Sequence, residues 1–439
     1  MEPLRIAINA QLEPNSGAGG VESVLAGLVF ALGQIRDGDE QYVIIGPAQG
    51  ADWLRPYLGG NEVLASGPQK DTSALKPRLV NGLKRALGPL RPFVKKLCRL
   101  AAGPGPLRRW PEVPISDGFY ESLGCDVIHF PYQEFVLCSM PSVFNPHDLQ
   151  HLHYPQFFTP LILAWRETIY PAACHFAHTT VVGSQWVKED VVCHYRLSPE
   201  KVQIIPWAPP TQAYESPSRE LLDAVKLKYS LELPFAYYPA ATWEHKNHLR
   251  LLEALALLRD HKGCNLRLIC TGYKYPLFWP RIEETLRKLN LESQVRFLGV
   301  VPNEDLRAIY RLAQFVIVPT LFEAASGPVF ESWLEKTPIA CSTVTSLPEQ
   351  VGDAALLFDP FSVEAIANAA KRMATDHAFR AILIERGEQR LMDFSWERTA
   401  RAYRAVYRRA AGRTLSDEDR FLLSWDWMRN PKREKEGIP

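Results

Sequence analysis

Short apolar runs alternate with helix-like stretches along most of this 439-residue chain. The runs are rich in β-branched residues, which is typical of parallel strands buried on both faces by helices. One series begins with LRIAIN at 4–9, and a second begins with FAYYPA at 235–240, after a linker rich in Pro and Ser at 208–222. Because the chain is too long for one ordinary core, we predict an α/β fold of two doubly wound domains, 1–210 and 211–394.

The C-terminal end of the chain departs from this alternation. The pattern SWERTARAYRAVYRRAAG predicts one last helix at 395–412. The residues that follow, ending in KREKEGIP, predict a polar tail at 413–439.

The composition limits the class of protein. Lys and Arg number 50 and Asp and Glu number 49, so the net charge gives no electrostatic support for binding a nucleic acid. No apolar run approaches the roughly 18–20 residues that span a bilayer, and the first residues show no basic-then-apolar secretion signal. The eight cysteines form no C-x-x-C pair, which indicates reduced thiols. These features predict a cytoplasmic protein.

The segment 67–111 is a basic insertion in the first domain. Between Lys76 and Arg109 it contains ten Lys or Arg residues and no acid, interleaved with Leu, Val and Phe. Five prolines interrupt residues 76–109, so this stretch predicts short amphipathic segments and not one long helix. Such segments favour anionic lipid surfaces or anionic acceptors, which predicts peripheral contact with the inner face of a membrane through 76–109. The alternative is a solvated flap over an apolar groove.

The stretch TLFEAASGPVFESWLEKTP at 320–338 follows the apolar run FVIV at 315–318. This order predicts a buried strand, a Ser-Gly-Pro turn and a helix start, where unpaired N–H groups and the helix dipole favour an anion. Glu323 precedes the turn and Glu331 follows it. The pair suits contacts with a sugar and a ribose on either side of a bound phosphate. Alternatively, Glu323 is a solvated loop acid and Glu331 complements the helix dipole.

Two further strand ends carry candidate residues. The loop LEPNSGAGG at 12–20 includes Gly17, Gly19 and Gly20, which allow backbone to approach a ligand closely but do not spell G-x-G-x-x-G. Lys246, at a strand-to-helix turn, is placed to reach a phosphate as a point charge. The alternative is a solvated lysine at a helix start.

The loop HDLQHLHYP contributes His147, Asp148, His151 and His153 at the end of another strand. The spacing H-D-x-x-H-x-H matches no standard zinc signature, so we predict no metal site here. His147 or Asp148 is expected instead to be catalytic or to contact a sugar, because this loop faces the same crevice as the glycine-rich loop.

Together these positions resemble the retaining glycosyltransferases of family 4, which have the GT-B fold of two Rossmann-like domains facing across a cleft. The resemblance covers most of the chain except the basic insertion and the tail, and it implies that the C-terminal helix crosses back to the first domain. It is carried by the Glu323-x7-Glu331 pair, the H-K-N-H turn with Lys246 and Asn247, SLPEQVGDAALLFDP at 346–360, GAGGVES at 17–23, the His147-Asp148 loop and the segment 179–209.

The resemblance implies a nucleoside-diphosphate sugar bound between the domains, mainly by the second one, with no divalent metal or other cofactor. It assigns catalytic roles to Glu323 on the sugar hydroxyls, Lys246 on the departing diphosphate and His147 beside the sugar. Charge builds on the leaving group in an oxocarbenium-like transition state, and fixed positive groups stabilise that charge selectively. The implied donor-binding residues are Glu331 at the ribose, Ser326, Gly327, Pro328 and Val329 at the diphosphate, Gly19 and Gly20 from the opposite domain, Asn247 and Asp148.

Three positions depart from the family pattern. Ala240 stands where many members have an arginine, six residues before the lysine. Ser326 occupies the usual glycine position between the two glutamates, and Lys336 replaces a small residue before the next strand. Loss of the arginine is expected to weaken binding of the β-phosphate unless His245, Lys274 or another group compensates.

The residues and the resemblance together predict a retaining hexosyltransferase, with mannosyltransferase as one form. It would use a GDP- or UDP-linked sugar to extend a glycan or lipid-linked acceptor in polysaccharide or glycoconjugate synthesis. A sugar-nucleotide epimerase or hydrolase of the same fold is the alternative reaction. A regulator that binds a sugar nucleotide without chemistry is the third hypothesis. Ala240 favours the regulator, whereas intact Glu323, Glu331 and Lys246 argue against it.

Overall fold

The computed structural model describes residues 2–12, 20–68, 112–209 and 216–427, which form two parallel sheets covered by helices. The strands of the first sheet are β1 (Arg5–Asn9), β2 (Gln41–Gly46), β3 (Glu62–Ser66), β4 (Val127–Phe130), β5 (Ser142–Phe144), β6 (Thr179–Val182) and β7 (Val202–Ile204). They lie in the order β3-β2-β1-β4-β5-β6-β7. The strands of the second sheet are β8 (Phe235–Pro239), β9 (Arg267–Thr271), β10 (Val295–Phe297), β11 (Phe315–Val318), β12 (Ile339–Ser342) and β13 (Leu356–Phe358). Their order is β10-β9-β8-β11-β12-β13, so the predicted α/β fold with two doubly wound sheets is confirmed.

Helices cover both sheets. Those of the first domain are α1 (Gly20–Gln34), α2 (Phe119–Ser122), α3 (Gln150–His153), α4 (Pro160–Phe176) and α5 (Gln185–Tyr195). Those of the second are α6 (Arg219–Lys228), α7 (His248–Lys262), α8 (Trp279–Lys288), α9 (Asn303–Leu312), α10 (Gly327–Leu334), α11 (Leu347–Val351), α12 (Val363–Thr375) and α13 (His377–Leu391). Serine caps mark several of their starts, because each hydroxyl satisfies an N–H group that the helix leaves unpaired. Examples are Ser184 at α5, Ser218 at α6 and Ser362 at α12.

The strand order reverses at one point in each sheet. β1 lies between β2 and β4, and β8 lies between β9 and β11. Doubly wound sheets bind ligands in the crevice that opens at such a point, beyond the carboxyl ends of the strands. The described candidate residues that follow β5, β8 and β11 lie at the carboxyl ends of these strands, so the topology places them at this crevice.

The helix α14 (Trp396–Ala410) crosses from the second domain and packs into the core of the first. Buried hydroxyls fix it there: Asn145 Nδ2 donates to the Tyr403 hydroxyl at 2.6 Å, and the Tyr407 hydroxyl lies 2.8 Å from His129 Nδ1. The expected crossing of the C-terminal helix is therefore present, and the apolar face of α14 completes the first core.

A further helix, α15 (Asp417–Ser424), follows α14 and corrects the prediction of a polar tail from residue 413. Ser416 and Asp419 form a capping box at its start, and Leu422 is buried against the first core. The high charge of this segment hid the short helix, because Leu422 is one of few apolar residues that anchor it.

Several sequence predictions lie outside the described residues. They include Gly17, Gly19, residues 69–111 of the basic insertion and residues 428–439 of the tail. Among the helices that the structure describes, none is both long and apolar enough to span a bilayer.

Candidate active site

A cleft of about 560 Å³ lies between the two domains, at the carboxyl ends of their central strands. Loops that are distant in sequence meet here because both reversals of strand order open onto it. The predicted site residues that line it are Gly20, His147, Asp148, Lys246, Glu323, Ser326, Gly327, Pro328 and Glu331. Asn247 and Val329 do not line it, and Gly19 is outside the described residues.

Lys246 and Glu323 line the cleft and form an ion pair, with 2.7 Å between Nζ and Oε2. Lys246 ends the turn after β8, and Glu323 lies in the loop after the neighbouring strand β11. The two side chains are only 21% and 13% exposed, so solvent screens the pair less than it screens a surface ion pair. Because an ammonium has three donors, Lys246 can hold Glu323 and a phosphate oxygen together.

The start of α10 lines the cleft beside this pair, and it leaves its first N–H groups without intrahelical partners. The Ser326 N–H donates to Gln350 Oε1 at 2.9 Å, and Pro328 has no N–H. The N–H groups left for an anion at this turn are therefore those of Gly327 and Val329. The Ser326 hydroxyl is buried and has no hydrogen-bond partner among the described residues, so it is a further group for a ligand.

Glu331 lies further along α10, beside Tyr310 of α9, whose hydroxyl donates to Glu331 Oε2. Tyr310 is fully buried against Tyr237, with ring centroids 4.9 Å apart. Burial raises the pKa of Glu331, while the Tyr310 hydrogen bond and the charge of Arg307 oppose that rise. Tyr310 could not be predicted from the sequence, because it lies 21 residues from Glu331 and on another helix.

His147 is buried in the first-domain wall of the cleft, with a positive φ of 64°. Its Nε2 donates to the carbonyl oxygen of Pro131 at 2.9 Å, which leaves Nδ1 as an acceptor. Burial lowers the pKa of His147 to about 4, so the ring is neutral near pH 7. Left-handed backbone is costly for a non-glycine residue and clusters at functional sites. His147 can accept a hydrogen bond from a hydroxyl, but it has no charge to offset a phosphate.

Asp148 positions the loop that carries His147. Its Oδ1 accepts from the Gln150 N–H at 2.9 Å and lies 3.5 Å from Arg166 Nη1. Arg166 packs over the ring of Tyr170, 5.3 Å from the centroid. Although Asp148 lines the cleft, these contacts show that its carboxylate also holds the loop on α3 and α4.

Asn247 and Val329 were predicted to bind the donor, but their side chains serve the fold. Asn247 Nδ2 donates to the carbonyl oxygens of Pro319 and Pro360, both at 2.9 Å. These bonds tie the turn that carries Lys246 to the end of β11. Val329 is fully buried in the second core, so only its backbone N–H is left for a ligand.

Positive charge is scarce in the cleft, where Lys246 is the only Lys or Arg among the described lining residues. Ala240 lines it too, at the position where an arginine was expected from the family pattern. His245 is half-buried in the cleft wall, and desolvation holds its pKa well below the usual value, so it is uncharged at neutral pH. Lys274 does not line the cleft and lies over the Trp279 ring, 4.3 Å from the centroid. Neither group replaces the arginine.

Aromatic rings that the sequence analysis did not identify form much of the remaining wall. Trp243 packs against Tyr275, with ring centroids 4.1 Å apart, and Trp207 contacts His147 edge-on at 5.3 Å. Their order along the chain shows no spacing pattern, because tertiary packing brings them together. Aromatic walls with a few convergent polar groups are typical of small-molecule sites.

The two domains touch directly at the start of α5. Glu349 of the second domain accepts from the Gln185 N–H at 2.9 Å and the Trp186 N–H at 2.7 Å. The hydroxyls of Ser184 and Ser346 lie 2.7 Å apart beside them. Glu349 complements the positive end of the α5 dipole, so this contact fixes the approach of the domains at one side of the cleft.

Comparison with known proteins agrees with this architecture. Residues 18–208 match the family model described as Glycosyltransferase Family 4, and residues 235–376 match the model described as Glycosyl transferases group 1. An O-antigen chain mannosyltransferase B from Escherichia coli is 35% identical over 179 residues, which are 39% of this chain and 46% of that protein. The chain spans about half the length of the curated relatives it matches.

Solved structures share the fold over nearly the full chain. Sucrose-phosphate synthase from Thermosynechococcus elongatus has a TM-score of 0.66 at 19% identity, covering 92% of this chain and 98% of that one. HepE from Anabaena, in complex with UDP and glucose, has a TM-score of 0.63 at 16% identity, covering 92% and 99%. At these identities the likeness establishes the GT-B arrangement of the two domains.

Proposed function

Because this chain belongs to glycosyltransferase family 4, we propose that it moves a hexose, and specifically mannose, from a nucleoside diphosphate to a glycan or lipid-linked acceptor with retention of configuration. The observation that carries the proposal is the Lys246–Glu323 pair beside the start of α10, with Glu331 further along the same helix. The name of the Escherichia coli relative supports mannose and polysaccharide synthesis. The UDP in the HepE complex supports a nucleoside-diphosphate donor.

The geometry suits stabilisation of a departing diphosphate. The Lys246 ammonium and the N–H groups of Gly327 and Val329 lie at the same end of the second sheet. Charge that develops on the leaving oxygen meets donors that are already oriented, and such donors stabilise the transition state more than the ground state. We also propose that no divalent cation takes part in this step, because Lys246 and the dipole of α10 supply the positive charge.

The sugar is proposed to lie between Glu323 and His147. Glu323 shares Lys246 with the diphosphate and accepts hydrogen bonds from sugar hydroxyls, while the Nδ1 of neutral His147 accepts one from the opposite wall. Glu331 is proposed to accept from the ribose, since it lines both the cleft and the adjoining pocket beside Tyr310, whereas Glu323 lines only the cleft. The acceptor then approaches from the first domain.

A donor screen tests the reaction. The purified chain is incubated with GDP-mannose, UDP-glucose and other GDP- and UDP-sugars, with and without mannose-terminated oligosaccharide acceptors, and nucleotide release is followed by a coupled assay. We expect release to depend on the acceptor and the product linkage to keep the donor configuration by NMR. Release of free sugar, or an altered donor sugar, without any acceptor would instead indicate a hydrolase or an epimerase. Binding without turnover of any donor would indicate a regulator.

Two proposals concern the surroundings of the enzyme. We propose a cytoplasmic location, which agrees with the seven cysteines of the described residues all being free thiols. We propose peripheral membrane contact through 76–109, supported by its ten cations and lack of acids. Co-sedimentation with vesicles that contain anionic lipid, but not with neutral vesicles, is the expected result. Equal binding to both would contradict it.

As the pH is lowered, we expect donor binding to weaken at a higher pH in Tyr310→Phe than in the wild type. The Tyr310 hydroxyl donates to Glu331 and lowers a carboxyl pKa that burial has raised, so its loss raises that pKa further. A protonated Glu331 accepts less well from ribose hydroxyls, so the KM for the donor should rise as the pH falls, and earlier in the variant. KM and kcat measured across pH check this, with kcat expected to change little.

The matched control is Tyr237→Phe. Tyr237 is an equally buried phenol whose hydroxyl pairs with Thr271 Oγ1 at 2.5 Å and not with Glu331. The Tyr237→Phe variant should leave unchanged the pH at which the KM for the donor begins to rise on acidification. An identical shift in both variants would mean that packing, and not the hydrogen bond to Glu331, sets the profile.

A further inference from the structure

Three possible metal ligands converge outside the cleft, on the far side of the loop that carries His147. They are His153, the last residue of α3, and Asp190 and His194, one turn apart on α5. The Nε2 of His153 lies 2.8 Å from Asp190 Oδ1, and the Nδ1 of His194 lies 3.1 Å from the same oxygen. All three ligand atoms lie within 4.8 Å of one another, and none of the three residues lines the cleft.

These distances are close to those of a zinc site. Zinc binds imidazole nitrogen and carboxylate oxygen at roughly 2.0–2.2 Å, so ligands of a tetrahedral site lie roughly 3.3 Å apart. The two histidine–aspartate distances differ from that value by a few tenths of an ångström. Two histidines and one carboxylate are also a donor set that zinc uses with a fourth position open to water.

The charge of Asp190 favours a cation at this place. Its side chain is 5% exposed, and its ion-pair partners among the described residues are His153 and His194, which are charged only when protonated. His153 Nε2 lies 2.8 and 3.0 Å from the two carboxylate oxygens, whereas His194 Nδ1 is also 2.9 Å from the main-chain carbonyl oxygen of Asp190. No Lys or Arg among the described residues pairs with this buried carboxylate, so a cation is the partner that its charge favours. The histidine side chains are 30% and 39% exposed, so an ion can enter from solvent.

We propose that His153, Asp190 and His194 form a structural site for Zn²⁺. A bound ion ties α3, next to the His147 loop, to α5. The start of α5 in turn holds Glu349 of the second domain. The His153 ring also packs against Phe322, 5.5 Å between centroids, and Phe322 precedes Glu323 in the chain. A bound ion would thus stabilise elements on both walls of the cleft without contacting the sugar donor. The proposal does not depend on which reaction the protein catalyses.

Metal binding by the full-length chain tests this site directly. The protein is stripped with a chelator and titrated with ZnCl₂ by calorimetry, and Co²⁺ is used as a spectroscopic probe of ligand geometry. We expect one Zn²⁺ per chain, visible Co²⁺ bands of a four-coordinate site and a rise in Tm of roughly 2–4 °C. His194→Ala should weaken binding at least about tenfold and abolish the Tm rise, and acidification should release the ion.

Two variants separate this site from adventitious binding. His261→Ala removes an exposed histidine on α7, and Cys193→Ser removes the exposed thiol next to His194; both should retain the ion and its spectrum. Asp190→Asn keeps the shape of the buried side chain and should lose the ion. The proposal is overturned if the stripped chain takes up no Zn²⁺. It is also overturned if His194→Ala and Asp190→Asn, both folded by circular dichroism, bind as tightly as His261→Ala.

Discussion

Lys246→Met is expected to lower kcat by about 10²–10³-fold at saturating donor and acceptor, the cost of removing one oriented donor to a developing anion. The effect should be large because Lys246 is the only Lys or Arg among the described residues that line the cleft. Ala240 supplies no charge, and His245 is neutral. Methionine keeps an unbranched apolar side chain in place of the lysine stem. The hydrogen bond that Tyr238 donates at 2.7 Å goes to the main-chain carbonyl oxygen of residue 246 and is independent of the side chain.

Steady-state kinetics with the donor identified by the screen check this prediction. Lys274→Met is the matched control, because Lys274 lies over Trp279 and does not line the cleft. It should keep kcat and KM within about twofold of the wild type. A Lys246→Met enzyme whose KM rises while kcat stays unchanged would show that the lysine binds substrate and transition state equally, contrary to the proposed role.

The fold followed from local sequence because parallel strands buried on both faces are nearly continuous apolar runs. The residues alone left Lys246 and Glu323 open between a ligand site and solvated side chains, and the resemblance to family 4 implied one shared site. The 2.7 Å ion pair at neighbouring strand ends agrees with that expectation. The residues that follow a strand are adjacent to it in the sequence, so sequence patterns can identify them.

Side-chain contacts between residues that are distant in sequence were not predicted. Gln350 takes the Ser326 N–H from 24 residues away, and Tyr310 reaches Glu331 from another helix. No spacing rule links such pairs, because their separation depends on how whole helices pack. The same reason explains the missed His153–Asp190–His194 cluster: its members are 37 and 4 residues apart, and only the packing of α3 against α5 joins them.

In the polar C-terminal segment, contacts between residues distant in sequence also stabilise the fold. Arg408 of α14 donates to Glu40 Oε1 at 2.6 Å and to Asp419 Oδ2 at 3.0 Å, and both carboxylates are almost fully buried. These ion pairs join α14, α15 and the residue before β2, which lie far apart in sequence. A stretch that composition marks as solvated tail is therefore fixed by a buried cluster of charges.

Arg408→Met is expected to destabilise the first domain by about 3–5 kcal/mol, because it leaves Glu40 and Asp419 buried without their shared cation. Burial opposes ionisation of Asp419, but hydrogen bonds from Ser416 and Arg408 outweigh it and hold the pKa below its usual value. In the wild type this stabilisation is present above the usual carboxyl range and is lost as the pH falls through the lowered pKa. In the variant, burial without the arginine should raise the pKa of Asp419 instead, so the deficit in the free energy of unfolding should be full near neutral pH and shrink on acidification.

Urea unfolding at several pH values measures this deficit through the transition of the first domain. The matched control is Arg420→Met on α15, the helix that carries Asp419, because the ion pair of Arg420 with Asp417 is exposed and should contribute little to stability. Arg408→Lys should fall between the two, because an ammonium keeps the charge but cannot hold both carboxylates with a planar fork. A loss for Arg408→Met no greater than for Arg420→Met would show that the buried cluster does not hold α14 and α15 on the first domain. A deficit that grows on acidification would show that the carboxylates are not the source of the instability.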